Sequence, residues 1–192
     1  MSEFEIIADD NNLCGEGPIW NARTGELTWN DLSRSLVFRY NPATGEKRTI
    51  SDRVMAAGIA LHDSGGYVFA GSEGVCIWRG PDDLTPIATH HENEKLFFND
   101  ILADPRGRVY GGCCYWGADG MEKLGKLYLI DTDGSMRIVD DGIELANGLG
   151  LSPDNRTLYF TDSAARRIYA YDVDADTGSL SNKRSEEHTS EL

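Results

Sequence analysis

Three oxygen-bearing side chains, Glu16, Asn99 and Asn147, occupy one recurring position in this chain, each with apolar neighbours. Their segments read Cys14-Gly15-Glu16-Gly17-Pro18-Ile19-Trp20, Phe97-Phe98-Asn99-Asp100-Ile101-Leu102 and Ala146-Asn147-Gly148-Leu149-Gly150-Leu151. A fourth segment of the same kind, Ala56-Ala57-Gly58-Ile59-Ala60-Leu61, has no polar member. A polar group left without a partner in such surroundings costs about 1–3 kcal/mol. A hard divalent cation can be that partner, because Ca²⁺ and Mg²⁺ take carboxylate and amide oxygens. A local reading also exists: Asn before Gly turns the chain through left-handed backbone, as Asn147-Gly148 can. Repetition over three segments favours one convergent site over unrelated turns.

Such convergence needs a fold that repeats. In all four segments the innermost strand starts about eight residues before a turn marker, at Gly25, Gly65, Gly107 and Asn155, and the markers are spaced by 40, 42 and 48 residues. An alternating strand follows each marker, as in Leu27-Thr28-Trp29 or Leu158-Tyr159-Phe160. A second strand comes next: Leu36–Tyr40, Val75–Trp78, Lys126–Ile130 and Arg167–Tyr171. Glycine turns at Gly45, Gly134 and Gly178 then lead to a third, with Pro81-Asp82-Asp83 in the corresponding place of the second unit. Period-2 alternation with β-branched and aromatic enrichment predicts strands. Gly, Asn and Asp between them supply hairpin turns. Several short strands per ~40–45 residues is the period of a propeller blade. The expectation is an all-β chain, a single partial β-propeller domain over 1–183, with four blades at about 16–50, 55–90, 99–141 and 147–183. The starts of the innermost strands surround a propeller's central channel, which would bring the three polar residues together.

These motifs also carry a family likeness. Gly15-Glu16-Gly17-Pro18-Ile19-Trp20, then Phe98-Asn99-Asp100-Ile101-Leu102-Ala103-Asp104-Pro105-Arg106-Gly107-Arg108, then Asn147-Gly148-Leu149-Gly150-Leu151-Ser152-Pro153-Asp154 resemble three successive motifs of the senescence marker protein, gluconolactonase and luciferin-regenerating enzyme family, which includes regucalcin. The resemblance implies a six-bladed ring and a metal-dependent hydrolase that opens a lactone ring to a hydroxy acid. It implies one divalent metal ion, calcium favoured over zinc or magnesium, with Glu16 and Asn147 as ligands. Asn99 would hold the substrate or a water at the metal. The family's remaining ligand, an Asp that doubles as general base, would lie in a later blade beyond residue 192, so the chain as it stands is expected to be inactive. The chain departs from the pattern at Phe97, where the family often has a sugar-binding Arg, at Gly112-Cys113-Cys114, and in the loop Tyr115–Gly120. The alternative reading is a calcium-binding propeller without turnover, and a third is a complete four-bladed interaction module.

The ends and the charge complete the picture. The stretch Arg184–Leu192 has no counterpart in the repeat and resembles the translation of a sequencing-adapter oligonucleotide, so it is expected to be non-native. Phe4–Ala8 reads as a strand that would close a full ring by pairing in its last blade, whose strands are expected to be absent here. The net charge of −14 opposes phosphate, which argues against nucleic acid and anionic membrane surfaces. No apolar run approaches the ~20 residues that span a bilayer. Met1–Glu5 lacks the basic and apolar regions of a signal peptide, so a cytoplasmic protein with a small lactone or ester as partner is expected. Cys14, Cys76, Cys113 and Cys114 have no metal-site spacing and read as free thiols. Asp172-Val173-Asp174-Ala175-Asp176 begins like an EF-hand, but Thr177 and Lys183 stand where Gly and Glu are required, so a hairpin turn is expected.

Overall fold

The computed structural model describes residues 5–185. Four four-stranded antiparallel meanders follow one another along the chain. The first contains β1 (Gly15–Asn21), β2 (Glu26–Asp31), β3 (Leu36–Asn41) and β4 (Glu46–Ser51). The second contains β5 (Ala56–Leu61), β6 (Tyr67–Gly71), β7 (Gly74–Gly80) and β8 (Asp83–Ala88). A short hairpin, β9 (His90–His91) with β10 (Glu94–Lys95), leads into the third. There β11 (Phe98–Ala103) pairs with β12 (Val109–Cys113), a hairpin of β13 (Tyr115–Gly117) and β14 (Gly120–Lys123) is inserted, and β15 (Gly125–Ile130) and β16 (Met136–Ile143) complete the sheet. The fourth contains β17 (Ala146–Leu151), β18 (Thr157–Asp162), β19 (Arg167–Val173) and β20 (Leu180–Ser185). The first strands β1, β5, β11 and β17 sit side by side in chain order, so each sheet is one blade of a propeller.

The core lies between blades, because alternate residues of a strand face opposite neighbours. In β12, Val109 joins the cluster shared with blade two and Tyr110 the cluster shared with blade four. In β15, Tyr128 and Ile130 go one way, Leu127 and Leu129 the other. Blades two and three are therefore buried on both faces, which is why their strands read as continuous apolar runs. Blades one and four each leave one face open, where Trp20, Tyr159 and Ile168 are exposed. The inner strands approach very closely: a Cβ on Gly58 would lie 2.8 Å from the Ile101 backbone nitrogen.

Specific polar ties hold neighbouring blades in register. Asn30 Nδ2 of blade one donates to the Ala56 carbonyl at 2.8 Å, and Thr28 Oγ1 meets the Tyr67 hydroxyl at 2.8 Å. Between blades three and four, Arg108 donates to the Asp176 and Ala175 carbonyls at 2.9 and 3.0 Å, and the Tyr110 hydroxyl to the Gly178 carbonyl at 2.8 Å. The segment they grip is the EF-hand-like stretch. It is a hairpin turn, in which the Asp174 carboxylate accepts from the Asp176 and Thr177 amides.

Two features mark the ends of the described residues. β20 includes Arg184 and Ser185, paired opposite Ala170 and Tyr169, so the strand runs two residues into the stretch read as non-native. Backbone groups of β19 need partners, and pairing continues as far as the neighbour can supply them. The rest of that stretch, 186–192, lies outside the described residues, as does Phe4. Residues 5–8 form no strand.

Candidate functional site

In every blade the first strand pairs with the second through a register shift at the same point. The shifts fall between Glu16 and Ile19, Ala56 and Gly58, Phe98 and Asp100, and Asn147 and Leu149. A β-bulge re-aims the side chains beside it. Glu16, Asn99 and Asn147 all stand at this bulge. In blades one and four the next residue is a glycine with positive φ, Gly17 at 61° and Gly148 at 60°. Asn147-Gly148 therefore turns the backbone as its composition suggests, but inside a strand and not at a hairpin end.

The three residues line one cavity of about 340 Å³, together with Asp100, Ala57 and Ile101. All three and Asp100 are half-buried. The Asn99 amide nitrogen donates to the Ala146 carbonyl at 2.7 Å, which leaves its oxygen as the end available to a ligand. Asp100 was not singled out by the repeat, yet its carboxylate reaches into blade four: Oδ2 accepts the Gly148 amide at 2.8 Å, while Oδ1 accepts the Ile101 amide at 2.8 Å. The signal that could have found it is positional, since Asp100 stands where the other three blades have Gly17, Gly58 and Gly148.

The electrostatics are those of an anionic cleft. Burial first, and then the nearby Asp100 carboxylate, push the Glu16 carboxyl above its usual range. Burial also raises Asp100, against the lowering effect of its two backbone hydrogen bonds. No Lys, Arg or His among the described residues lines the cavity. Among the described residues, no three His, Cys, Asp or Glu side chains gather to hold a metal by themselves. The donors here are two carboxylates and two amides, a hard-oxygen set that suits Ca²⁺ or Mg²⁺ better than Zn²⁺.

Other residues lie elsewhere. Phe97 is half-buried and does not line the cavity. Tyr115 packs against the core between blades two and three, and Trp116 is about half exposed with its Nε1 donating to the Glu144 carbonyl at 2.8 Å. Neither touches the cavity. All four cysteines are free. A larger groove of about 790 Å³ opens between blades two and three at the opposite ends of the inner strands, lined by Arg23, His62 and Arg106 among others, and contains none of the three repeat residues.

Known proteins resemble this chain in sequence and in fold. The family model described as SMP-30/Gluconolactonase/LRE-like region matches residues 14–191. The chain is 31% identical to pentonolactonase XacC of Haloferax volcanii over 175 residues, covering 91% of this chain and 58% of that protein. It is 31% identical to regucalcin of Oryctolagus cuniculus over 188 residues, covering 95% and 63% respectively. A solved luciferin-regenerating enzyme superposes with a TM-score of 0.77 at 30% identity, covering 90% of this chain and 60% of its own. The solved neighbours are six-bladed propellers. The chain thus spans about three fifths of the length of these relatives.

Proposed function

Because the chain belongs to the SMP-30/gluconolactonase/LRE-like family, we propose that it is the first four blades of a metal-dependent hydrolase that opens a lactone ring to a hydroxy acid. Glu16 and Asn147 are its metal ligands and Asn99 its substrate-holding residue. The observation that carries this reading is the cavity where Glu16, Asn99, Asp100 and Asn147 meet, with no cationic side chain lining it among the described residues. Two carboxylates facing each other in a half-buried cleft repel, and a divalent cation removes that repulsion. The donor set fits such an ion.

When bound, the ion would polarise the lactone carbonyl and lower the pKa of a nearby water. The chain's own residues do the rest. Glu16 brings the anionic oxygen and Asn147 a neutral one. Asn99 cannot swing freely, since its amide nitrogen is tied to blade four. Its oxygen is therefore held ready for a substrate hydroxyl or a water. Asp100 adds a second negative charge beside Glu16. The general base expected of the family belongs to a later blade, so turnover requires more than these 192 residues. The substrate class is a small lactone or ester, and the net charge of −14 opposes nucleic acid and anionic membrane surfaces.

The test is Glu16→Gln in a protein carrying the later blades. It should weaken metal binding beyond the roughly 10–100-fold expected for losing an outer-sphere partner, and lower lactone hydrolysis in parallel. Hydrolysis at the wild-type rate would overturn the assignment. Weakened calcium binding in a protein with no hydrolysis to lose would instead support the non-catalytic calcium-binding reading.

A further inference from the structure

We propose that Asp31 and Asp162 are positioning residues for the site, each clamping the backbone that presents a metal ligand. The inference rests on the metal reading above. Asp31 is the last residue of β2, lies opposite Gly15 and is fully buried. Its Oδ2 accepts the Leu13 amide and its Oδ1 the Cys14 amide, both at 3.1 Å. Asp162 is the last residue of β18, lies opposite Ala146 and is 1% exposed. Its Oδ2 accepts the Glu144 amide and its Oδ1 the Leu145 amide, both at 2.9 Å. A further amide, Ala165, reaches Oδ1 at 3.3 Å.

The two arrangements are the same device used twice. One carboxylate takes two successive backbone N–H groups, and the second of them is two residues before the ligand: Cys14 before Glu16, Leu145 before Asn147. The carbonyl of that second residue is held as well, by Leu32 N at 2.9 Å in blade one and Ser163 N at 2.9 Å in blade four. The chain is thus fixed on both its donor and its acceptor side just before the bulge.

The other two blades lack the clamp. The corresponding residues are Gly71, opposite Ala56, and Cys113, opposite Phe98. Blade two presents Ala57 and has no ligand to position. At Gly71 there is no room for a side chain, since a Cβ would lie 1.8 Å from the Met55 carbonyl oxygen. Blade three presents Asn99, which is placed by its own bond to the Ala146 carbonyl. The buried aspartate appears in the two blades whose side chains are assigned to the metal and in neither of the others. Blades one and four also share a positive-φ glycine just after the ligand, Gly17 and Gly148, which Gly58 and Asp100 do not match, so clamp, bulge conformation and ligand occur together.

Asp104, which also pairs with buried Arg108, provides a control far from the cavity. It is buried, and its Oδ1 accepts two backbone amides, Arg106 at 2.9 Å and Arg108 at 3.0 Å, but at the far end of blade three from the cavity. Asp→Asn is nearly isosteric at each position; at Asp31 and Asp162 it sets an amide NH₂ against a backbone N–H, so one of the two bonds is lost, whereas at Asp104 both amides share Oδ1 and the NH₂ faces Arg108 instead.

The experiment uses a protein carrying the later blades, with Ca²⁺ titration and amide hydrogen exchange both followed by NMR, on wild type, D31N, D162N, D104N and E16Q. D31N and D162N should each weaken Ca²⁺ binding about 10–100-fold and speed exchange selectively at 13–17 or 144–148. D104N should lower the melting temperature with neither effect. Wild-type affinity and exchange in D31N and D162N, or the same losses in D104N, would overturn the proposal. If D31N or D162N does not fold, Asp31→Ser and Asp162→Ser, which keep one acceptor, take their place with the same expectations. Wild type that binds no Ca²⁺, or E16Q that binds as wild type does, would overturn the metal reading instead, and the exchange data then decide the clamp by themselves.

Discussion

The carboxylate of Asp100 is pulled in two directions: burial raises its proton affinity, while the Ile101 and Gly148 amides favour its charged form. The second of those bonds crosses from blade three to the glycine that follows Asn147. Asp100→Ala should therefore loosen Asn147 as well as remove a charge. A hydrogen bond to a charged group contributes roughly 1.5–3 kcal/mol, and a site open to water takes the low end. Thermal melts should show a loss near that size, with weaker Ca²⁺ binding, and an unchanged melt would mean the inter-blade bond contributes nothing. The thiols give a second prediction at this scale. Burial pushes Cys114 up to about 11, and burial likewise raises Cys113 and Cys76. Burial, then the Glu16 and Asp31 charges, raise Cys14 as well, but it is half-buried where the others are buried, so a thiolate-dependent reagent should label it first and the other three only on unfolding. A label on Cys14 sits two residues from Glu16 and should also weaken metal binding, which competition with Ca²⁺ during labelling will reveal.

At the scale of elements, the two extra hairpins are joined by one ion pair. Glu94 of β10 is hydrogen-bonded to Lys123 of β14, whose ammonium also lies over the Tyr115 ring at 4.0 Å. The Lys123 hydrogen bond, against some burial and with help from the Tyr115 hydroxyl, holds the Glu94 carboxyl below its usual range. A carboxyl lowered in the folded state contributes fully above its unfolded pKa, and that contribution is lost as pH falls through the folded value. The hairpins should therefore stay together at neutral pH and part in acid below about pH 4.5. Exchange at 115–123 as a function of pH checks this, and Lys123→Met should abolish the pH dependence. Deeper in the fold, Arg108 and Asp104 form a buried pair that also grips the blade-four turn. Removing one partner of such a pair costs about 3–5 kcal/mol, so Arg108→Met should lower the denaturation midpoint sharply. Much of this scaffold was legible beforehand. Glycine turns and alternating runs foretold four blades, and the spacing of Glu16, Asn99 and Asn147 foretold one cavity. Asp100 was hidden because strict alternation sends adjacent residues to opposite faces, and only the bulge lets both reach the cleft. The clamps at Asp31 and Asp162 were hidden for a related reason: they close over residues 17 and 18 positions away, which repeat spacing does not reveal. The extent of β20 depended on what β19 could pair with, and composition does not encode that.

At the scale of the whole molecule, support is uneven, and the site spans the unevenness. Blades two and three are covered on both faces, whereas blades one and four each expose one, with Trp20 at 51% and Ile168 at 46%. In stacked repeats each unit draws its stability from its neighbours, and local opening follows the least covered units. Amides of β6, β7, β12 and β15 should accordingly exchange slowest, and those of blades one and four at least about tenfold faster, a difference of about 1.4 kcal/mol. Yet Glu16 and Asn147, the two proposed metal ligands, belong to those outer blades, while blades two and three supply the wall between them. A cation held by both would bind only when both blades are formed. Any ligand that binds the closed form alone stabilises it by RT ln(1 + [L]/Kd), about 2.7 kcal/mol at a hundredfold excess over Kd. Saturating Ca²⁺ should therefore slow exchange in β1 and β17 far more than in β6 or β12, and E16Q should remove that selectivity. Uniform slowing across all four blades, or none, would mean that the cation does not bridge the outer blades.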